Sequence, residues 1–165
     1  MRKPVWIALL GLVLIAAGLG AYLWASPYLF LRELQEAILA GDRARLERMV
    51  DFPRVREGLK AQINAQLLKE LEKTQDPFAG LGYVFAAGLI NAFVDAFLTP
   101  EGLAAIGTGA EPGQAPKEEV RNWRLKYQDF RTAYIHHPND PQSRLYLERQ
   151  GLFGWRVVRI DLPPE

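Results

Sequence analysis

The sequence predicts an α+β protein, in which an N-terminal transmembrane helix precedes about four to five helices packed on an antiparallel sheet of three or more strands. Three observations predict this class. An uncharged apolar run opens the chain, capping residues before prolines recur through its middle, and the last third alternates apolar with polar side chains. The 165 residues suit one ordinary domain, which we place at residues 26–165.

The apolar run is Val5–Ala25, whose 21 uncharged residues are enough to cross the hydrocarbon core of a bilayer as a helix. Aromatic residues lie near both of its ends, where they suit the membrane interfaces. Arg2 and Lys3 precede it, and positive flanks stay in the cytoplasm. We therefore expect residues 1–4 to be cytoplasmic, residues 5–25 to anchor the protein in the cytoplasmic (inner) membrane, and residues 26–165 to be periplasmic.

A cleaved signal peptide is the alternative to a retained anchor, and cleavage would leave the domain secreted. The residues before Ser26 are Leu23, Trp24 and Ala25. They include bulky side chains where a signal peptide has a small-x-small cleavage site, and the apolar run is longer than a usual signal core. Both features favour the retained anchor.

The composition argues against nucleic acid as a partner. Two of the 20 Lys and Arg precede the anchor and all 19 Asp and Glu follow it, so the domain carries a net charge of −1. A near-neutral domain lacks the basic surface that nucleic acid requires. The chain has no cysteine, which excludes disulfides, cysteine-ligated zinc, thiol catalysis and a lipidated-cysteine anchor.

Helix starts are predicted wherever a capping residue stands just before a proline. The capping oxygen accepts a hydrogen bond from a free amide of the first turn. Proline in that turn has no amide hydrogen, so it leaves no donor without a partner. The four sites are Ser26-Pro27, Asp51-Phe52-Pro53, Asp76-Pro77 and Thr99-Pro100.

The first helix of the domain is predicted from Pro27 to Ala40, continuing from the anchor and ended by Gly41 in a left-handed conformation. Asp42 caps a short second helix, and Pro53 opens a third. The residues expected to face inward recur at helical spacing. They are Phe30, Leu34, Ala37 and Ile38 in the first helix; Leu46, Met49 and Val50 in the second; and Val55, Leu59, Ile63, Leu67 and Leu71 in the third.

Phe78–Leu98 is a second apolar stretch of 21 residues, interrupted by three glycines and by Asn91 and Asp95. We predict that it is not a second span. A span running inward should be followed closely by Lys or Arg, yet the charged residues between Asp76 and Lys117 are all acidic. We expect a helix buried under the sheet, with Asp95 at least partly buried and facing the strands.

Residues 107–118 are rich in Gly, Pro, Ala and Gln, which predicts a linker between a helical half, 26–106, and a strand half, 119–165. The strand half is predicted as a three-stranded meander. Its parts are a strand over 123–135 with a bulge at 129–130, a turn at 136–141, a strand over 144–149, a turn at 151–154 and a strand over 155–162.

No residue is predicted to be catalytic, and no metal site or cofactor is predicted. The only histidines, His136 and His137, are adjacent and on a strand would point to opposite faces, so they do not readily bind one metal ion together. Nucleophile, zinc-protease, phosphate-loop and dinucleotide motifs are missing from the sequence.

A pocket for a small apolar ligand is predicted between helices and sheet. Its candidate lining is Asn91, Asp95, Trp123, Tyr127 and Tyr134. Asn91 and Asp95 are four apart and share a helix face, and a buried carboxylate needs a partner. The alternatives are that Asp95 reaches solvent or meets an arginine, and that the aromatic residues simply fill the core.

Several strings along the chain resemble, in their order and spacing, a family of bacterial membrane-anchored proteins known only as a domain of unknown function. They are Ala40-Gly41-Asp42, Val50-Asp51-Phe52-Pro53, Asp76-Pro77-Phe78, Leu98-Thr99-Pro100-Glu101-Gly102-Leu103 and the closing segment from Leu147 to Arg156. The resemblance implies an envelope protein and carries no activity. The order of helices before a sheet also looks like the cone-shaped fold of nuclear transport factor 2, which implies a pocket by analogy of architecture.

Three functions are compatible with these features. The leading one is a non-enzymatic, membrane-tethered module that binds a small apolar ligand or a partner protein. The second is a structural or assembly subunit that docks on another membrane protein, and the third is an enzyme using Asp95 and tyrosines. An enclosed pocket bearing Asp95 would favour a ligand or a reaction, whereas a filled core with an exposed apolar patch would favour docking.

Overall fold

The computed structural model describes residues 3–73, 78–108 and 117–163, and it confirms the α+β class. Within these residues, helices precede a four-stranded antiparallel sheet. The predicted helix start at Asp76-Pro77 and most of the predicted linker, residues 109–116, lie outside the described residues. The elements are α1 (Lys3–Ala40), α2 (Arg43–Met49), α3 (Phe52–Lys73), α4 (Ala79–Phe97), α5 (Pro100–Thr108), α6 (Lys117–Arg121), β1 (Arg124–Tyr127), β2 (Thr132–His137), β3 (Asp140–Gln150) and β4 (Gly154–Asp161).

Helix α1 runs without a break from the apolar segment into the domain, which confirms the predicted continuation from the anchor. Pro27 therefore lies inside a helix, and Ser26-Pro27 does not mark a helix start. The side chains described before Ser26 are mostly exposed, and from Ser26 onward one face of the helix is buried. That face is Phe30, Leu31, Leu34, Ala37 and Ile38, which includes the predicted set. Gly41 ends the helix with φ 65°, as predicted.

Three of the predicted caps are present. Asp42 accepts a hydrogen bond from the amide of Arg45 (3.1 Å), and Asp51 accepts one from the amide of Arg54 (3.3 Å). The hydroxyl of Thr99 accepts one from the amide of Gly102 (3.0 Å). These local bonds explain why α2, α3 and α5 begin where the sequence predicts.

The sheet is a meander in the order β1-β2-β3-β4, with one strand more than the predicted minimum. The predicted bulge at 129–130 is a turn between β1 and β2. Its Asp129 side chain accepts hydrogen bonds from the amides of Arg131 (2.7 Å) and Thr132 (2.8 Å). Because Tyr127 pairs with Ala133, both strands keep their apolar side chains on one face. The alternation of apolar and polar residues therefore did not reveal that the chain reverses direction at this turn.

The core lies between that sheet face and the helices α1, α2 and α5 with the start of α3. Val55, Leu46, Ile135, Leu147 and Val157 are almost fully buried there. Each such aliphatic side chain contributes roughly 1.5–3 kcal/mol of burial free energy. Side chains therefore fill most of the space between helices and sheet, and a small recess of about 140 Å³ remains beside Trp123 and Ile135.

Helix α3 runs alongside β4 in the same direction as that strand. It leads away from the start of β4, where Trp155 contacts α1. The amide of Asp51 donates to the carbonyl of Val157 (2.8 Å), and further along α3 the side chain of Gln62 donates to the carbonyl of Ile160 (2.6 Å). Past that point α3 continues to Lys73 with half-buried or exposed side chains. Only the first residue of its predicted core row, Val55, reaches the core.

Helix α4 packs along α3 and not under the sheet, so that expectation is wrong. Among its residues only Val94 is buried. The helices on either side of α4 both enter the same core, α3 through Val55 and α5 through Ala104. If α4 crossed a membrane once, it would place α3 and α5 on opposite sides, so their common core favours the prediction that α4 is not a second span.

Candidate functional site

The five residues predicted to line a pocket do not come together. Asn91 and Asp95 lie on α4 against α3, whereas Trp123 and Tyr127 pack on the hydrophobic core. Tyr134 pairs with Lys126 in the sheet, next to the Tyr127–Ala133 pair, so it lies on the opposite sheet face from Tyr127. The structure thus distributes these residues over three places.

The carboxylate of Asp95 is half exposed and forms an ion pair with Lys60 of α3 at 2.5 Å, so the expectation that it faces the strands is wrong. One turn away, Asn64 of α3 and Asn91 of α4 each have a buried Oδ1 with no hydrogen-bond partner among the described residues. The two helices are antiparallel, so the four-residue spacing places Asn64 opposite Asn91. We call these four residues the polar seam between α3 and α4.

Tyr134 belongs to an aromatic and cationic surface on the outer sheet face. Its ring lies 5.9 Å from that of Tyr146, and the guanidinium of Arg144 lies over it at 5.0 Å. Beside it, an open groove of about 520 Å³ separates this face from α3. Arg54 and Glu148 form an ion pair at 2.6 Å in its lining. The groove is polar and open, unlike the predicted apolar pocket.

The sheet contacts α1 at the point where Pro27 interrupts the hydrogen bonding of that helix. Proline has no amide hydrogen, so the carbonyl of Leu23, four residues earlier, loses its helical partner. That carbonyl instead accepts hydrogen bonds from the hydroxyl of Ser26 (2.8 Å) and from Arg149 of β3 (3.2 Å). The hydroxyl of Tyr127 donates to the next carbonyl, that of Trp24, at 2.7 Å.

Arg149 is the central residue of this contact, and sequence reasoning missed it. Although charged, it is 8% exposed, and its guanidinium stacks between the rings of Phe130 (4.5 Å) and Trp155 (4.3 Å). It donates to the carbonyls of Phe130 (2.9 Å) and Leu152 (2.8 Å). The only sequence signal was its position: with Leu145 and Leu147 it occupies the inward-facing register of β3.

Ser26 and Tyr127 complete the contact. The indole of Trp155 donates to the hydroxyl of Ser26 at 2.9 Å. Burial raises the pKa of the Tyr127 hydroxyl above its ordinary value, while the nearby Arg149 guanidinium acts in the opposite direction. The hydroxyl therefore stays protonated at neutral pH and remains a donor to the helix.

Two turns of the sheet contact this part of α1, residues 128–131 and residues 151–153, and we call them the junction turns. They carry exposed apolar side chains: Phe130 (61% exposed), Leu152 (63%) and Phe153 (47%). The ring of Phe153 lies 5.5 Å from that of Tyr22, inside the apolar segment. Apolar side chains of the domain thus lie against the helix near the end of its apolar run.

A second exposed apolar surface is the outer face of α4. A row of large side chains recurs there at every fourth residue, and each of them is more than half exposed. The row is Leu81 (73%), Phe85 (70%), Leu89 (58%) and Phe93 (60%). Side chains of this size on a helix outside a membrane normally pack against another surface.

Two helical segments are long and apolar enough to cross a membrane by length and composition. One is the part of α1 from Trp6 to Ala40, and the other is α4. Within the residues described, no group of three or more His, Asp or Glu could hold a metal ion. His136 and His137 each keep a buried Nε2 without a hydrogen-bond partner there.

A family model described as a protein of unknown function, DUF2939, matches residues 15–106. The match begins inside the apolar segment and ends in α5, so it covers the helical half and not the sheet. No curated protein and no solved structure matches the chain. The likeness to the nuclear transport factor 2 cone therefore stays a prediction.

Proposed function

The chain belongs to the DUF2939 family of proteins of unknown function, and from that premise we propose that it is a membrane-tethered docking protein whose helix α4 binds another protein. The observation that carries the proposal is the exposed apolar row of α4, Leu81 to Phe93. A filled core with an apolar surface of this kind fits docking better than ligand binding.

The tether in this proposal is the apolar part of α1. Its length and composition suit a span, and Arg2 and Lys3 ahead of it favour a cytoplasmic N-terminus. The domain would then stand on the periplasmic side of the inner membrane, within a bacterial envelope. Cleavage after the apolar segment would break α1 just before Ser26 and remove the carbonyls of Leu23 and Trp24 that Arg149 and Tyr127 bind.

A protein suits α4 as its partner better than the membrane that holds the tether. The Gly154 end of β4 lies at the tether, because Trp155 bonds to Ser26. From there β4 extends for eight residues, about 23 Å, and α3 follows it in the same direction. The first half of α4 packs beside the far part of α3 and is therefore distant from the point where α1 leaves its apolar segment.

The proposed function is non-enzymatic, and two findings favour that class over catalysis by Asp95. Its carboxylate is exposed and paired with Lys60, so nothing sets it apart as an acid or base. The tyrosines of the prediction, Tyr127 and Tyr134, lie on other elements and on opposite sheet faces.

Photo-crosslinking in the native membrane tests the proposal. A photoreactive amino acid at Phe85 lies on the exposed row of α4, and the matched control carries it at Asn139, in the exposed turn between β2 and β3. We expect position 85 to give a discrete adduct with another protein and position 139 to give none. The adduct should disappear when Leu89→Lys places a charge on the same row.

Two other outcomes are informative. An adduct containing two copies of this chain would assign the surface to self-association and overturn the proposal that α4 binds a different protein. The absence of any adduct at position 85, with a protein that remains folded in the membrane, would overturn docking through α4.

A further inference from the structure

We propose that the two junction turns, residues 128–131 and 151–153, insert into the lipid surface around the anchor and hold the domain upright on the membrane. The inference rests on the membrane tether of the proposed function and adds a lipid-binding surface to it. Its occupant is the bilayer that contains the anchor, because these turns contact the anchor directly.

The first argument is the depth at which the turns meet α1. Val5–Ala25 is just long enough to span the hydrocarbon core, so residues 20–25 lie at its outer boundary. An apolar recess of about 450 Å³ lies there between α1 and the sheet, with Gly20, Leu23 and Phe130 in its lining. Gly20 is five residues, about 7 Å, inside the end of the apolar run. Phe130 is therefore at the depth that interfacial apolar side chains reach.

The second argument is the chemistry of the turns. Phe130, Leu152 and Phe153 are exposed, close together around one helix, and costly to leave in water. Phe153 contacts Tyr22 of the anchor, so lipid that surrounds Tyr22 also reaches Phe153. Aromatic rings are favoured at the boundary between headgroups and acyl chains.

The third argument is that the turns cannot move away from the anchor independently. Arg149 binds the carbonyls of Phe130 and Leu152, one in each turn, and also the carbonyl of Leu23 in α1. Both turns are thereby fixed to the helix that enters the membrane. If the anchor spans the bilayer, the apolar tips of the turns meet the lipid surface without any rearrangement.

Depth-dependent fluorescence quenching tests this inference on the full chain. Because the chain has no cysteine, a single cysteine carries the only label. The label is placed at Leu152 in one junction turn, at Asn139 in the turn at the opposite end of β3, and at Leu14 within the anchor. The purified protein is reconstituted into phosphatidylcholine and phosphatidylglycerol vesicles with nitroxide quenchers on their acyl chains.

We expect the label at Leu152→Cys to lose most of its emission, as the label at Leu14→Cys does, while the label at Asn139→Cys keeps its emission. A label at Phe130→Cys, in the other turn, should behave like the label at position 152. These vesicles hold no other protein, so only lipid can cause the quenching.

Two results would overturn the inference, and they differ in what else they reject. If position 14 is quenched and positions 152 and 130 resemble position 139, the turns stay in water; the tether survives and the apolar turns are then a surface for a protein. If position 14 is not quenched, the tether fails, and the proposed function and the lipid surface fail with it.

Discussion

Pro27 shows how one residue in a helix can create a binding site for another element. A proline inside a helix removes one hydrogen bond and costs about 3 kcal/mol. Here the freed carbonyl of Leu23 accepts hydrogen bonds from Ser26 and Arg149, and Tyr127 binds the carbonyl of Trp24 beside it. The interruption therefore lies where the sheet meets the helix, and the contacts across it offset part of the cost.

Replacing Arg149 by methionine tests the importance of this contact. Arg149→Met should lower the free energy of unfolding by about 2–4 kcal/mol, because the carbonyls of Phe130 and Leu152 lose a charged donor. Guanidinium unfolding of the full chain in detergent, followed by tryptophan fluorescence, measures the change. The matched control is Arg124→Met on the exposed side of β1, which should change stability by less than about 0.5 kcal/mol. Equal midpoints for both variants would contradict the prediction.

Asp95 is expected to contribute little to stability. Its side chain is 52% exposed and that of its partner Lys60 is 26% exposed, so water screens the pair. Asp95→Asn should cost at most about 1 kcal/mol. A double-mutant cycle with Lys60→Met measures the pair alone, and a coupling energy well above that value would show that the pair behaves as a buried one.

At the scale of elements, the α3–α4 hairpin differs from the rest of the molecule. Helices α1, α2 and α5 bury apolar faces in the core, whereas α3 enters it only through its first turn, at Phe52 and Val55. Farther along, α3 and α4 pack on each other through half-buried side chains that include the polar seam, and α4 exposes its apolar row outward. Buried amide oxygens without partners destabilise a contact, each by about 1–3 kcal/mol. The hairpin is thus the part of the domain whose packing is least complete.

Making the seam apolar should therefore stabilise the hairpin. Leucine has the same branched arrangement of side-chain heavy atoms as asparagine and needs no hydrogen bond, so the double change Asn64→Leu and Asn91→Leu should raise the free energy of unfolding by about 1–3 kcal/mol. Chemical unfolding of the full chain provides the measurement. Gln62→Leu on the same helix is the control and should destabilise, since its amide binds Ile160 and Leu162. Destabilisation by the double change would show that the two amides are satisfied in solution.

At the scale of the molecule, the fold has two apolar surfaces at different ends. The junction turns contact α1 where it leaves its apolar segment, and the exposed row of α4 extends along the hairpin beyond the far end of β4. One rigid core joins them. This arrangement would hold a docking helix at a fixed distance from the apolar part of α1.

A topology experiment separates one span from two. An alkaline phosphatase fused after Glu165 should be active, because that enzyme requires the periplasm and a single span with a cytoplasmic N-terminus places residue 165 there. The reciprocal control is a reporter that functions only in the cytoplasm, fused at the same residue, and it should be inactive. The opposite pair of results would contradict a single span with a cytoplasmic N-terminus.

The sequence by itself determined the features that depend on neighbours along the chain. A 21-residue apolar run, the caps at Asp42, Asp51 and Thr99, and the period-two alternation of the last third were enough to predict the α+β class and most of the helices and strands. Capping and periodicity act over a few residues, so a local pattern reveals them. The family was predictable in the same way, from the order of short strings.

Only the tertiary structure decided the rest, because it depends on contacts between residues far apart in sequence. The sequence did not reveal the turn at 128–131, because apolar and polar residues alternate in the same phase before and after it. The burial of Arg149 depends on a carbonyl 126 residues away, freed by Pro27 in another element. The apolar pattern of α4 suits a buried helix, a membrane span and a docking surface equally. In the structure α4 packs on Lys60 and Asn64 of α3 with one face, and its opposite face is exposed.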